Sequence, residues 1–236
     1  MITFEDKLKY VEDFVKSNLG IQYTALMQNW ADKHTAQNLI TNSLTPAQEQ
    51  YLKNVLTNAH AMDNRTPIDY AKNLVVNWLL EDAIVEIFNN FIFAGSELTL
   101  YYNGNDADRK FSKRASEEPD FAITDENDEI VSFIELKADF SGFVSTNKAV
   151  DLRDNGYDNL RKHNGYLLVI DFANQLFYFD SIYNLPAQHI NNPLWNNKPA
   201  YRVDLNNAFL DNLSNLKNLG ENFDFESDEQ EDDEDW

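Results

Sequence analysis

Cysteine is absent from the 236-residue sequence, which excludes disulfide bonds and thiolate metal sites and favours a reducing compartment. Glycine is scarce, with seven residues. No GxxxxGK[ST] phosphate loop and no Gly-x-Ser-x-Gly elbow are present, so neither an intrinsic ATPase nor a serine hydrolase of that type is expected. The four histidines, His34, His60, His163 and His189, do not have the spacing of zinc ligands.

Long hydrophobic runs are also missing. No apolar stretch approaches the roughly 20 residues that a membrane-spanning helix needs. The first residues, Met1 to Asp6, lack the basic and then apolar pattern of a signal peptide. We therefore expect a cytoplasmic protein with no membrane partner.

Basic residues are few, with 19 Lys and Arg against 40 Asp and Glu, and the net charge is -21. Residues 221–236 hold ten acids and no basic residue, which leaves -11 for residues 1–220. An acidic body argues against a large, indiscriminate nucleic-acid surface. A local basic patch remains compatible with binding phosphates, because the local charge is what they meet.

Hydrophobic residues make up 43% of the chain, enough for one sizeable core with a small accessory part. Composition and periodicity divide the chain into three parts. Residues 1–65 form a helical N-terminal region, residues 66–220 an α/β core, and residues 221–236 an acidic disordered tail. In the first part, helices are predicted over 3–18, 21–41 and 46–60.

The core begins with a long apolar helix and then changes to strand patterns. The helix is predicted over 67–90. Strands are predicted over 97–102, 119–124, 130–137, 165–172 and 175–180, and a further helix over 146–162. For the remainder we predict a loop over 184–200, an edge strand over 201–205 and a short amphipathic helix over 207–219.

The strand at 130–137 carries the most informative charges. Its apolar run ends in Glu135-Leu136-Lys137, and because side chains alternate along a strand, Glu135 and Lys137 share one face. An acid and an amine at the end of an apolar run are costly to desolvate unless they are paired or bind a ligand. Fifteen residues upstream lies a second carboxylate, Asp120, on the neighbouring strand of a predicted hairpin. Asp120 and Glu135 can therefore converge on one cation.

The order helix, strand, strand with Pro119-Asp120, strand with Glu135-Leu136-Lys137, helix, strand resembles the PD-(D/E)XK nuclease superfamily over about residues 67–180. The resemblance implies a restriction-endonuclease-like mixed central sheet flanked by helices. It also implies Mg²⁺-dependent hydrolysis of DNA phosphodiester bonds, with Mn²⁺ expected to substitute. Restriction, defence and phage DNA processing are all compatible with such an activity.

Within this resemblance, Asp120, Glu135 and Lys137 are the catalytic residues. Carboxylates suit Mg²⁺, which prefers oxygen ligands and lowers the pKa of a bound water. Lys137 would orient or deprotonate the attacking water and offset phosphate charge. The backbone carbonyl of Leu136 would complete the metal shell, and Glu81, on the preceding helix, would add a ligand. Glu86 is the second choice for that position.

Two basic clusters are candidate nucleic-acid contacts. The first precedes Pro119 and the second lies near the helix after the motif; the chosen residues are Arg109, Lys110, Lys113, Arg114, Lys148 and Arg153. A homodimer is expected by analogy, because cutting both strands needs two sites. The acidic tail, which ends in Trp236, is a candidate docking segment for a protein partner or a competitor of DNA.

Two alternatives stay open. The acidic composition is compatible with a non-catalytic interaction protein, such as a DNA mimic or nuclease inhibitor on a relic nuclease fold. The same fold and site are also compatible with an RNA-cleaving enzyme.

Overall fold

The computed structural model of the protein describes residues 2–19, 50, 67–103, 118–210 and 212–216. Several predictions lie outside these residues. They are the helix over 21–41, nearly all of the helix over 46–60, the basic cluster at 109–114 and the acidic tail. What is described is a mixed α/β arrangement of several helices and a multi-stranded mixed sheet.

The helices are α1 (Phe4–Leu19), α2 (Pro67–Ile87), α3 (Phe143–Asn147) and α4 (Asp154–Lys162), with a π-helical turn at Phe88–Ile92 and 3-10 turns at Pro193–Trp195 and Leu213–Leu216. The strands are β1 (Thr99–Tyr102), β2 (Phe121–Thr124), β3 (Ile130–Asp139), β4 (Ala149–Arg153), β5 (Tyr166–Asp171), β6 (Leu176–Ser181), β7 (Ala187–Asn192), β8 (Lys198–Asp204) and β9 (Phe209–Leu210).

Local signals explain where the two long helices begin. The Thr3 hydroxyl accepts the Asp6 N–H (3.1 Å) while the Asp6 carboxylate accepts the Thr3 N–H (2.9 Å), a reciprocal cap at the start of α1. Pro67 begins α2, where its missing N–H is not needed. The helices pack against each other, and α1 buries Phe4, Leu8 and Val11 at helical spacing.

The main sheet has the order β1-β2-β3-β5-β6-β9. Strands β1, β2 and β3 form an antiparallel meander, and β3 then pairs in parallel with β5, after a crossover that contains α4. Strand β6 returns antiparallel to β5. The sheet is therefore mixed, with its only parallel pairing among the described strands at β3 and β5.

Strand β3 separates two apolar layers. Ile134 and Leu136 belong to the core formed with α1 and α2. Phe133 packs instead on the core formed with α4 and the second sheet, which includes Leu167. Because alternate side chains share a face, Glu135 and Lys137 lie on the Phe133 face of β3.

A second sheet, in the order β4-β8-β7, corrects three predictions. The helix predicted over 146–162 is wrong at its start, since 149–153 is strand β4 and the helix begins at Asp154. The loop predicted over 184–200 contains strand β7. The edge strand predicted over 201–205 belongs to β8, which is central rather than at an edge.

These predictions were wrong because the strands pair with segments that are distant in the sequence. Val150 and Leu152 are buried against the second core, whereas Asp151 on the opposite face forms a bidentate ion pair with Arg202 of β8 (2.8 and 2.9 Å). This two-residue alternation is a strand pattern, although the stretch is short enough to fit a helix in sequence. The helix predicted over 207–219 is also wrong, because Phe209–Leu210 pairs with β6 and a 3-10 turn follows.

No helix in the described part of the chain is long and apolar enough to cross a membrane.

Two glycines give a matched test of packing around α4. A Cβ at Gly165 would collide with the Leu160 side chain and lie 3.1 Å from its carbonyl oxygen, whereas a Cβ at Gly156 meets nothing within 4 Å. We expect Gly165→Ala to lower the free energy of unfolding by about 1–3 kcal/mol through overpacking. Gly156→Ala, inside the helix, should raise it by about 0.5–1 kcal/mol. Urea denaturation measures both, and equal stabilities for the two variants would contradict this packing.

Candidate functional site

Asp120 lies directly across from Glu135. Phe121, the first residue of β2, pairs with Ile134 of antiparallel β3, so the next position outward sets Asp120 opposite Glu135. Opposed residues of an antiparallel pair project to the same face. The hairpin therefore brings together the two carboxylates that the sequence pointed to, on the face that also carries Lys137.

Strand β3 continues beyond Ile134, where its pairing with β2 ends. The Asp120 Oδ2 atom accepts the Leu136 backbone N–H at 2.8 Å and so occupies the place that a longer β2 would fill. The N–H and C=O of one strand residue point to the same side. The Leu136 carbonyl is therefore directed past the end of β2, towards the side on which Asp120 lies.

Lys137 is paired with Glu135. Its ammonium donates to Glu135 Oε1, and the two side chains are 35% and 14% exposed. The ion pair is therefore partly buried but still accessible to solvent. Solvent can reach the ammonium, which leaves it able to meet a charged ligand.

Burial and the neighbouring charges together set the electrostatics of the site. Burial and the neighbouring Glu135 carboxylate raise the pKa of Asp120 well above its ordinary value, against the opposing effect of Lys137. Burial lowers the pKa of Lys137, but Glu135 and Asp120 outweigh it and the pKa is raised. Lys137 is therefore charged at neutral pH. A charged ammonium is suited to offsetting phosphate charge rather than to accepting a proton.

Glu81, on α2, is close enough to raise the pKa of Asp120 further. It is partly buried. Glu86 has a different environment, since its carboxylate accepts a hydrogen bond from the Asn90 side chain at 2.6 Å. Of the two predicted acids of α2, Glu81 is the one whose charge acts on the Asp120 carboxyl.

Asn103 was not among the site residues predicted from the sequence. Its backbone N–H donates to the Asp120 carbonyl (2.9 Å) and its side-chain amide donates to the Pro119 carbonyl (3.0 Å). Next to it, the Tyr102 hydroxyl donates to Asp82 of α2 (2.5 Å). The backbone of Pro119 and Asp120 is consequently held from the β1 side, while the Asp120 side chain is held by β3.

A second acidic pair, Asp139 and Asp171, was also missed, and its role is structural. The two residues are paired at the ends of β3 and β5. Asp139 accepts the Val144 N–H (2.7 Å), and Asp171, which is fully buried, accepts the backbone N–H groups of Ser145 and Asn174 (both 3.1 Å). These carboxylates fix the start of α3 and the β5–β6 turn.

Of the predicted nucleic-acid contacts, two are described. Arg153, at the end of β4, is exposed, and its charge acts on Lys137. Lys148 is exposed as well, and its ammonium lies 3.5 Å from the Tyr178 hydroxyl. The other four, Arg109, Lys110, Lys113 and Arg114, lie outside the described residues.

The oxygen donors of the site suit a hard divalent cation. They are the carboxylates of Asp120 and Glu135 and the Leu136 carbonyl, and oxygen atoms of this kind are the ligands that such a cation prefers. The side chains are not arranged as a ready cluster: within the described ranges, no group of three or more His, Cys, Asp and Glu residues is placed to hold a metal.

Comparisons with protein-family models, with curated proteins and with solved structures gave no significant match. The function of the site is therefore argued from its geometry and chemistry.

The raised pKa of Asp120 has a measurable consequence for metal-free protein. The folded state keeps this proton at a higher pH than the unfolded chain does, so stability from this group is greatest below the ordinary pKa of 3.8 and declines as pH rises through the raised pKa. Asp120→Asn removes the ionisation and retains an acceptor for the Leu136 N–H. In EDTA, we expect the stability of the variant relative to wild type to increase over this pH range.

Urea unfolding of both proteins across a pH series measures this difference. Glu126→Gln, at an exposed turn, is the control and should leave the pH profile unchanged. If the wild-type and Asp120→Asn stability profiles run parallel over the whole pH range, the pKa of Asp120 is not raised in the folded protein.

Proposed function

We propose that the chain is a Mg²⁺-dependent nuclease that hydrolyses DNA phosphodiester bonds, on a restriction-endonuclease-like core. One observation carries the proposal: Asp120 and Glu135 face each other where β3 outruns β2, with the Lys137 ammonium beside them. Two carboxylates and a lysine on one face provide oxygen ligands for a metal and a positive charge for a phosphate.

The order of elements supports the same proposal. Helix α2 precedes the β1–β2–β3 meander, a crossover containing α4 follows, and β5 lies parallel to β3. This order resembles that of the PD-(D/E)XK nucleases, in which the acid-x-Lys motif ends the third strand of such a meander. In this chain the corresponding residues are Asp120, Glu135 and Lys137.

A Mg²⁺ ion would be held by Asp120, Glu135 and the Leu136 carbonyl, with Glu81 as a further ligand. When bound, Mg²⁺ activates a water and stabilises the charge that develops on the reacting oxygens. Asn103 holds the Asp120 backbone through its carbonyl, and the Leu136 N–H holds the Asp120 carboxylate. Lys137 presents its ammonium to the phosphate, and exposed Arg153 extends the positive charge along the substrate.

Substrate contacts would also include Lys148 and the basic cluster Arg109, Lys110, Lys113 and Arg114. Mn²⁺ would replace Mg²⁺, since both take oxygen ligands in octahedral geometry. Cleavage of both strands would need a second active site, which a homodimer would supply.

A second candidate function is a non-catalytic acidic interaction protein, such as a DNA mimic, on the same fold. It is favoured by the direct pairing of Lys137 with Glu135 and by the net charge of -21. In that case the pair would be a structural ion pair, and the protein would bind a DNA-binding partner in place of DNA.

Incubation with plasmid, single-stranded DNA and RNA, in Mg²⁺ or in EDTA, distinguishes these functions. We expect Mg²⁺-dependent DNA cleavage that Asp120→Ala and Lys137→Ala reduce by about 10²- to 10⁴-fold, the range associated with positioned acid–base groups. Lys9→Ala, at an exposed position of α1, is the matched control and should cut like wild type.

Circular dichroism must show that each variant folds. Cleavage of RNA but not DNA would show that the substrate is RNA. No cleavage of any substrate in Mg²⁺ or Mn²⁺ would support the non-catalytic candidate. Wild-type rates in either site variant would show that the site is assigned to the wrong residues.

A further inference from the structure

The β7–β8 hairpin lies in the longest stretch of the sequence that lacks acidic residues. Between Asp180 and Asp204, 23 consecutive residues contain no Asp or Glu, in a chain where 40 of 236 residues are acidic. The stretch contains His189, Lys198 and Arg202. This hairpin therefore differs in charge from the rest of a strongly acidic protein.

The tip of the hairpin presents a large apolar side chain on an ordered turn. Leu194, in the 3-10 turn Pro193–Trp195, is 81% exposed, the highest value among the large hydrophobic side chains of the described residues. Asn192, which is 2% exposed, stabilises the turn by hydrogen bonds. Its side chain accepts the Leu194 N–H (2.8 Å) and its carbonyl accepts the Asn197 N–H (2.9 Å).

Polar side chains surround Leu194. Asn196 and Asn197 adopt left-handed backbone conformations (φ 57° and 56°) that Asn tolerates, and both are exposed. Lys198 is exposed and has no ion-pair partner among the described residues, whereas Arg202 is held by Asp151. The tip thus combines an apolar side chain, amide groups and an exposed lysine.

Strand pairing places the tip beyond the end of β4 at which Arg153 lies. Arg153, the last residue of β4, pairs with Ala200, and the hairpin continues past it through Lys198 to the turn. The charge of Arg153 acts on Lys137. The hairpin therefore extends outward past Arg153, whose charge is near enough to act on Lys137.

From these observations we propose that the β7–β8 tip enters a groove of duplex DNA beside the scissile phosphate. Leu194 makes apolar contact with the base edges, and Lys198 contacts the backbone phosphates. A two-stranded ribbon fits a DNA groove, amides hydrogen-bond to base edges, and apolar side chains are used as wedges there. This inference rests on the proposed nuclease function and specifies its substrate as duplex DNA.

Binding of a fluorescein-labelled DNA duplex to the full chain in EDTA, measured by anisotropy at several salt concentrations, tests the proposal without cleavage. Leu194→Ala should weaken binding about tenfold, the effect of losing one buried apolar contact, with the salt dependence unchanged. Lys198→Ala should lower the slope of log K against log salt by about 0.9, because one phosphate contact is lost.

Ile130→Ala is the matched control, since Ile130 is an aliphatic residue that is 56% exposed at the opposite end of β3 from the site. It should bind like wild type. If Leu194→Ala and Ile130→Ala bind equally tightly, or if the wild type prefers single-stranded DNA, the proposal is overturned.

The two proposals fail separately. Wild-type cleavage of plasmid in Mg²⁺ together with unchanged binding by Leu194→Ala would overturn the groove contact and leave the nuclease function standing. Duplex binding that depends on Leu194, without cleavage in Mg²⁺, would support the groove contact and reject the catalytic function.

Discussion

The hydrogen bond from the Leu136 N–H to the Asp120 carboxylate (2.8 Å) is the contact on which the candidate site depends. It closes the end of the β2–β3 ladder with a side chain instead of a further strand residue. Strand β3 extends beyond β2, so Glu135, Leu136 and Lys137 are paired with β5 on one side but not with β2 on the other. A longer β2 would cover this edge, and without Asp120 the Leu136 N–H would lose its partner. The same interaction thus terminates the pairing and sets two carboxylates face to face.

The charges of the candidate site compensate one another only in part. Glu135 is paired with Lys137, while Asp120 keeps a raised pKa through burial and nearby acids. A buried charge without full compensation is unfavourable for the folded protein and is typical of functional sites. The contrast with Asp171 is informative, since that carboxylate is completely buried yet receives hydrogen bonds from two backbone N–H groups. One acidic pair accepts backbone hydrogen bonds at turns, whereas in the other the Asp120 carboxyl keeps a raised pKa.

The second sheet shows why local patterns misled the prediction of secondary structure. Residues 149–153 are too few for their alternation to be distinguished from a helix, and the 184–200 segment has the Asn and Pro content of a loop. Both are strands because β8 lies between them and pairs with each. The α2 helix and strands β2, β3, β5 and β6 were predicted, apart from their ends, because their apolar periodicity is long or strong. Pairing between distant segments produces no comparable periodicity in the sequence of a short polar stretch.

The sequence by itself determined the central elements of the fold and the three residues of the candidate site, because alternation along β3 and a hairpin of that length bring Glu135, Lys137 and Asp120 to one face. Only the tertiary structure decided that Glu81 rather than Glu86 acts on the Asp120 carboxyl, since the rotation of α2 depends on how it packs. It also decided that Asn103 holds Pro119 and Asp120, and that the acid-free β7–β8 hairpin pairs with β4 next to Arg153. These relations join residues that are distant in sequence, and strand register and packing determine which of them meet.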